Sequence, residues 1–207
     1  MQRAIMVVMM CSVACWGCSR TWHPQMLQGL PLAPGRYLTF YYQSPDFKAA
    51  QESYRLEDFA LEKVSGVDKS LAARIFQEEL VSALENNGLT LKAEGADCTL
   101  SGQVAQLYLR GPVLRLVSGK SSAALSVAGE IRRGPEVVFA FADQVQISLP
   151  INPRYPTSME PELMVRQVLR RFAGNLLNEM LLPPPAPRTD SIQSDLPVDQ
   201  GVLAEDG

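Results

Sequence analysis

Histidine is nearly absent from this 207-residue chain: the single copy is His23, beside Pro24 in a stretch without hydrophobic periodicity. A Ser-His-Asp or Cys-His relay needs an imidazole held inside a folded domain, so both chemistries are excluded. Imidazole zinc sites fall with them. Cysteine is scarce where it would matter. Of 4 cysteines, Cys11, Cys15 and Cys18 crowd the amino terminus, which leaves Cys98 alone in the body. One thiol makes neither a disulfide framework nor a thiolate metal site. In Ala96-Asp97-Cys98-Thr99-Leu100 it reads as a small buried hydrophobe at the start of a strand. Strong charge of either sign is also lacking: a net charge of -3 gives no reason to expect nucleic acid as a partner. Phosphate-loop glycine arrays are missing, since Gly111-Pro112 and Gly119-Lys120 read as hairpin glycines. Glu57-Asp58 and Glu78-Glu79 are neighbours that do not share a face of a strand or helix, so they read as solvated charges. The expectation is a protein that is not an enzyme, with no cofactor and no metal.

Long apolar runs are lacking too, with one short exception. After Met1-Gln2-Arg3, residues 4–14 (AIMVVMMCSVA) are almost uninterruptedly apolar. The run is about a dozen residues, short of the roughly 20 that a bilayer requires, and reads as a targeting segment over residues 1–17. It ends in Ala14-Cys15-Trp16-Gly17-Cys18. A small residue followed by cysteine at this place resembles the bacterial lipoprotein processing signal, in which the peptidase cuts before a cysteine whose thiol carries a diacylglyceryl group. The resemblance implies lipid attachment at Cys18, with Cys15 as the alternative that leaves an unusually short signal. Cleavage near Gly17 as an ordinary secretory signal is the other reading. A lipidated Cys18 makes membrane lipid a partner through the anchor without any span. Ser19 follows it, where aspartate is the residue linked to inner-membrane retention in enteric bacteria. In a Gram-negative host this implies the outer membrane, facing the periplasm.

Behind the anchor, residues 18–35 contain Pro24, Pro31 and Pro34 and read as a tether. Pro183-Pro184-Pro185-Ala186-Pro187 stops a helix, because proline lacks the amide donor. Residues 183–207 beyond it are acidic and patternless, and read as a disordered tail. One domain remains, residues 36–182. Residues 36–42 (RYLTFYY) are a strand by composition, and residues 54–64 alternate with a slip that suggests a bulge. Asp68 caps a helix whose stripe includes Ile75, Leu80 and Leu84 and which ends at Asn86-Asn87-Gly88. Residues 89–93 read as a short strand. Three longer alternating strands follow, residues 99–109, 123–132 and 136–148, the last two joined by a Gly134-Pro135 turn. Glu160-Pro161-Glu162 opens a second helix with Val168, Leu169 and Phe172 on its buried face. The expected fold is α+β: an antiparallel sheet in the order β-β-α-β-β-β-α, with two helices packed on one face.

The stretch from Cys98 through the hairpin at Arg110-Gly111-Pro112 and Ser118-Gly119-Lys120 to Val127, preceded by the cap Leu84-Glu85-Asn86-Asn87-Gly88, resembles an uncharacterised bacterial envelope lipoprotein domain over roughly residues 54–148. This hairpin is poorer in glycine than its relatives. The element order is similar to that of the lipoprotein that plugs the lipopolysaccharide-export barrel, and to auxiliary lipoproteins of lipid-transport ABC systems. Those likenesses imply an accessory of a larger envelope protein complex, and fold alone does not fix function. The residues add one feature of their own. Arg110, Arg115, Lys120, Arg132 and Arg133 gather near strand ends, and no acid lies between residues 98 and 129. Arg110, Arg115 and Lys120 are the candidate ligand-binding residues, suited to a lipid headgroup or an acidic protein surface; with a groove between sheet and helices they give the alternative reading, a lipid- or glycolipid-binding module. The competing reading is that they keep the hairpin soluble and guard sheet edges. In that case the partner surface is the aromatic strand around Tyr37, Phe40 and Tyr42. Arg166, Arg170 and Arg171 read as the ordinary outer face of an amphipathic helix.

Overall fold

Asp68 caps the first helix: its carboxylate accepts from the Leu71 amide at 2.9 Å, and helix α1 runs Lys69–Asn86. Gly88 (φ 76°) ends it, and the Leu89 amide turns back to the Leu84 carbonyl at 3.1 Å. The computed structural model describes residues 27–110, 119–150 and 159–183. The strands are β1 (Phe40–Gln43), β2 (Ser53–Leu56), β3 (Ala60–Ser65), β4 (Thr90–Leu91), β5 (Cys98–Leu109), β6 (Lys120–Arg133) and β7 (Glu136–Pro150). The second helix, α2, spans Glu160–Leu181 with Pro161 in its first turn, where a missing amide costs nothing.

The sheet is mixed rather than antiparallel. Its order is β1-β7-β6-β5-β2-β4, with β3 also beside β5. The meander β5-β6-β7 and the β1–β7 pair are antiparallel as expected, but β2 and β3 run parallel to β5, and β4 runs parallel to β2. The reason lies in α1. It carries the chain back along the sheet between β3 and β4, so β5 re-enters in the direction of the strands it joins. The slip within residues 54–64 is a break between β2 and β3, both of which line the same edge of β5.

Both helices cover one face of the sheet, and a row of aromatic rings fills the space between. Phe59 meets Phe76 at 4.8 Å, Phe76 stacks on Phe172 at 6.0 Å, and Phe172 meets Phe141 at 5.8 Å. Phe139 and Phe47 continue the row. Gly102 and Gly129 are cross-strand partners beneath it. A Cβ on Gly129 would stand 2.5 Å from Cζ of Phe141, and one on Gly102 would collide with the Phe59 ring. Glycine is what lets those rings lie against the sheet. Ile75, Leu80, Leu84, Val168, Leu169 and Phe172 are all buried in this core.

Part of the other face of the sheet, over β1, β6 and β7, is covered as well. Leu27, Leu30 and Leu32 pack there against Ala128, Ala140 and Ala142, with Phe40, Tyr42 and Val137 at the margin. Ala33 bridges Tyr41 through two backbone bonds of 2.8 Å. Residues 27–33, read from the sequence as part of a tether, are therefore part of the folded unit, because three leucines find an alanine-floored surface. The expected strand over residues 36–42 begins only at Phe40, since side-chain carboxylates take the preceding amides. Glu179 accepts from Tyr37 and Leu38 at 2.7 and 3.1 Å, and Asp143 accepts from Thr39 at 3.2 Å. Phe40 and Tyr42 are half-buried against the Leu27 cluster, so they form no exposed aromatic row; Tyr37 is exposed.

Candidate functional site

The basic residues grouped by the sequence separate in space. Arg110 closes β5, its amide bonded to the Ser122 carbonyl at 2.9 Å, and Lys120 opens β6 beside it. These two share one end of the sheet; Arg115 lies outside the described residues. Arg132 and Arg133 sit at the far end of the same 14-residue strand, about 40 Å away at 3.3 Å per residue. There they have structural tasks. Arg132 meets Glu130 at 2.6 Å, and Arg133 ties Asp46 at 2.7 Å and Glu52 to the turn. The candidate site keeps Arg110 and Lys120 and loses Arg132 and Arg133.

At the Arg110–Lys120 end lies a groove of about 330 Å³, floored by the ends of β6 and β7 and walled by the start of α2. Leu149, Pro150, Leu163 and Met164 make it largely apolar; Ser121, Glu160 and Gln167 add polar groups. Leu149, Leu163 and nearby Met159 are 41%, 38% and 57% exposed. Leu149 and Leu163 line the groove and Met159 directly precedes its Glu160, so the three exposures fall together rather than singly. Ser121 is buried, yet its Oγ has no hydrogen-bond partner. Such groups are normally paired, which sets Ser121 apart among the residues that line the groove. The sequence held the leucines and the methionine, but nothing in their spacing says that the end of β7 and the start of α2 converge.

The acids and arginines of the helices, read as solvated, instead join α1 to α2. Glu79 is buried and accepts from Arg166 at 2.9 Å and from Arg170 at 2.7 Å. Glu78 and Glu162 bind the same Arg166. Adjacent Glu78 and Glu79 point about 100° apart, which is why one faces solvent and the other faces α2. Burial alone would raise the Glu79 pKa, but the hydrogen bonds from Arg170 and Arg166 outweigh it and hold the carboxyl below the ordinary glutamate value. Ser53 likewise holds Asp97 below its ordinary value through its hydroxyl and amide. A depressed folded-state value means stability that is present above the unfolded pKa and lost as pH falls through the folded one. The melting temperature should thus stay level above about pH 5 and decline below about pH 4. Glu79→Gln should melt lower at pH 7 and show a shallower decline in acid; an unchanged acid profile would remove Glu79 from this account.

Cys98 is buried at the start of β5, and burial first, then the Glu52 charge, pushes its thiol up to about 11. A thiol so protonated at neutral pH is a poor nucleophile, in keeping with packing as its role. Among the described residues no three His, Cys, Asp or Glu side chains gather as metal ligands, and no helix is long and apolar enough to cross a membrane.

No family model matches the chain, and no curated protein matches it significantly. Solved structures similar to it include a minor lipoprotein from Acinetobacter baumannii, 13% identical over 62% of this chain and 91% of that one, with a TM-score of 0.40. Rare lipoprotein B from Shewanella oneidensis is 19% identical over 58% and 92% of the two chains, with a TM-score of 0.36. The PelC dodecamer from Paraburkholderia phytofirmans is 13% identical over 63% and 94%, with a TM-score of 0.38. Likenesses this distant say nothing of role, partner or location.

Proposed function

We propose that this protein is a non-catalytic, lipid-anchored envelope lipoprotein that docks onto a larger envelope complex as a transport or export accessory. Lipidation at Cys18 supplies the membrane anchor, and Ser19 after it, in place of aspartate, supports the outer membrane of a Gram-negative host, facing the periplasm. The observation that carries the docking role is the exposed apolar surface of Leu149, Met159 and Leu163 around the groove at the Arg110–Lys120 end. Interfaces combine an apolar centre with a charged rim, and arginine is frequent in them. The anchor supplies location, and the surface supplies the contact. A second reading has its own support: the unpartnered Ser121 hydroxyl inside an apolar groove suits the polar head of a bound lipid.

A pull-down from membranes in mild detergent separates the two. Met159→Asp with Leu163→Asp should cut recovery of a defined envelope protein by about tenfold or more. Both residues are exposed, so the melting temperature should barely move. Replacing Arg110, Arg115 and Lys120 together by glutamine should weaken recovery less, and rising salt should erase the difference, since exposed charges are screened beyond about 10 Å at 0.1 M. Equal recovery for both variants would remove this end of the molecule as the docking surface. A co-purified lipid lost on Ser121→Val, with protein recovery unchanged, would favour the second reading.

A further inference from the structure

The edges of the sheet are treated unequally. The outer edge of β1 is capped by the chain's own Ala33, bonded in both directions to Tyr41. At another edge β4 is only two residues long. The third edge belongs to β3, six residues pairing β5 on one side, with no strand pairing its other side among the described residues. An edge of that length leaves a row of backbone donors and acceptors open.

Beside this open edge runs a second groove, about 620 Å³, between β3 and α1. Phe59, Leu61 and Phe76 give it an apolar floor. Ala73, Gln77 and Val81, spaced four residues apart on α1, form its wall. An open strand edge next to a groove walled by a helix is the geometry in which an extended peptide joins a sheet, with alternate side chains entering the groove. Charge narrows the occupant. Asp58 at the groove and Glu62 on β3 itself are exposed without an ion pair among the described residues, whereas Arg74 on the helix side is engaged by Glu78 at 2.8 Å. Lys63 alone offsets the two acids. A second copy of the chain suits the edge poorly. Two β3 strands set antiparallel about a central two-fold axis would oppose either glutamate to glutamate at position 62 or lysine to lysine at position 63, and like charges directly opposite destabilise a strand pair.

We infer that the free edge of β3 is a docking site for an extended segment of a partner protein, with aliphatic side chains at alternate positions and a basic residue next to Asp58 and Glu62. The segment adds to the sheet beside β3 and sets its aliphatic side chains against Phe59, Leu61 and Val81. This surface is distinct from the groove at the start of α2, so the two can be tested apart.

The probe is a fluorescein-labelled nonapeptide of valine alternating with serine, with one central lysine, titrated into the full chain. Saturable binding is expected, with a Kd on the order of 10–100 μM. Glutamate in place of the lysine, or N-methylation of alternate peptide amides, should weaken it about tenfold or more. Ala73→Trp, an exposed helix position that fills the groove, should do the same with the circular dichroism spectrum unchanged. Met159→Asp with Leu163→Asp should leave peptide binding intact, so failure here is separable from failure of docking at α2. Binding undetectable at about 1 mM peptide, or equal binding by the N-methylated peptide, would overturn the inference. So would a concentration-dependent dimer that Ala73→Trp abolishes, because the edge would then belong to self-pairing.

Discussion

Phe172→Ala should lower the free energy of unfolding by about 3–5 kcal/mol, the range for deleting a large buried aromatic side chain. Phe172 is 1% exposed and stands between Phe76 of α1 and Phe141 of β7, so its ring joins both helices to the sheet. Its loss opens a cavity that flanking aromatic rings are too rigid to collapse into. For a domain whose whole stability is about 5–15 kcal/mol, that is a large share. Urea unfolding followed by circular dichroism measures it. A shift under about 1 kcal/mol would mean that the rings do not form a continuous core.

The second large effect belongs to Glu179. Its carboxylate is buried and accepts from the amides of Tyr37 and Leu38, holding the segment that leads from the back of the sheet into β1. Gly35 permits the close approach, since a Cβ there would stand 2.7 Å from Oε2 of Glu179. Glu179→Ala leaves two backbone donors without an acceptor, at about 1–3 kcal/mol each, and the half-exposed Tyr37 keeps the sum near 2–4 kcal/mol. Glu179→Gln retains an acceptor oxygen and should cost less. Hydrogen exchange at Tyr37 and Leu38 should rise in the alanine variant. Unchanged protection would show that something other than Glu179 holds this segment.

What the sequence made legible follows from what leaves a local trace. A capping aspartate, a 3.6-residue stripe and a terminating glycine placed α1, and alternation placed β5, β6 and β7 almost to their ends. The direction of β2 and β3 left no such trace, because period-two alternation is the same in parallel and antiparallel pairs. The leucines at positions 27, 30 and 32 lie in a proline-punctuated stretch with no regular period, so their burial depends on a surface made by residues a hundred positions away. Charge was legible by sign but not by partner. Arg166 and Arg170 look solvent-facing until Glu79 of α1 is set opposite them, and Arg133 looks like part of a basic patch until Asp46 and Glu52 reach it. The groove at the start of α2 was the least legible feature, being built from the ends of three elements.

Lipid anchorage is the premise on which the docking role stands, and intact-mass analysis of the full-length gene product extracted from membranes tests it most directly. The account predicts a mature chain that begins at Cys18 and carries the mass of a diacylglyceryl group, with none of residues 1–17 remaining. Recovery of the protein with Cys15 and Cys18 both unmodified would contradict it.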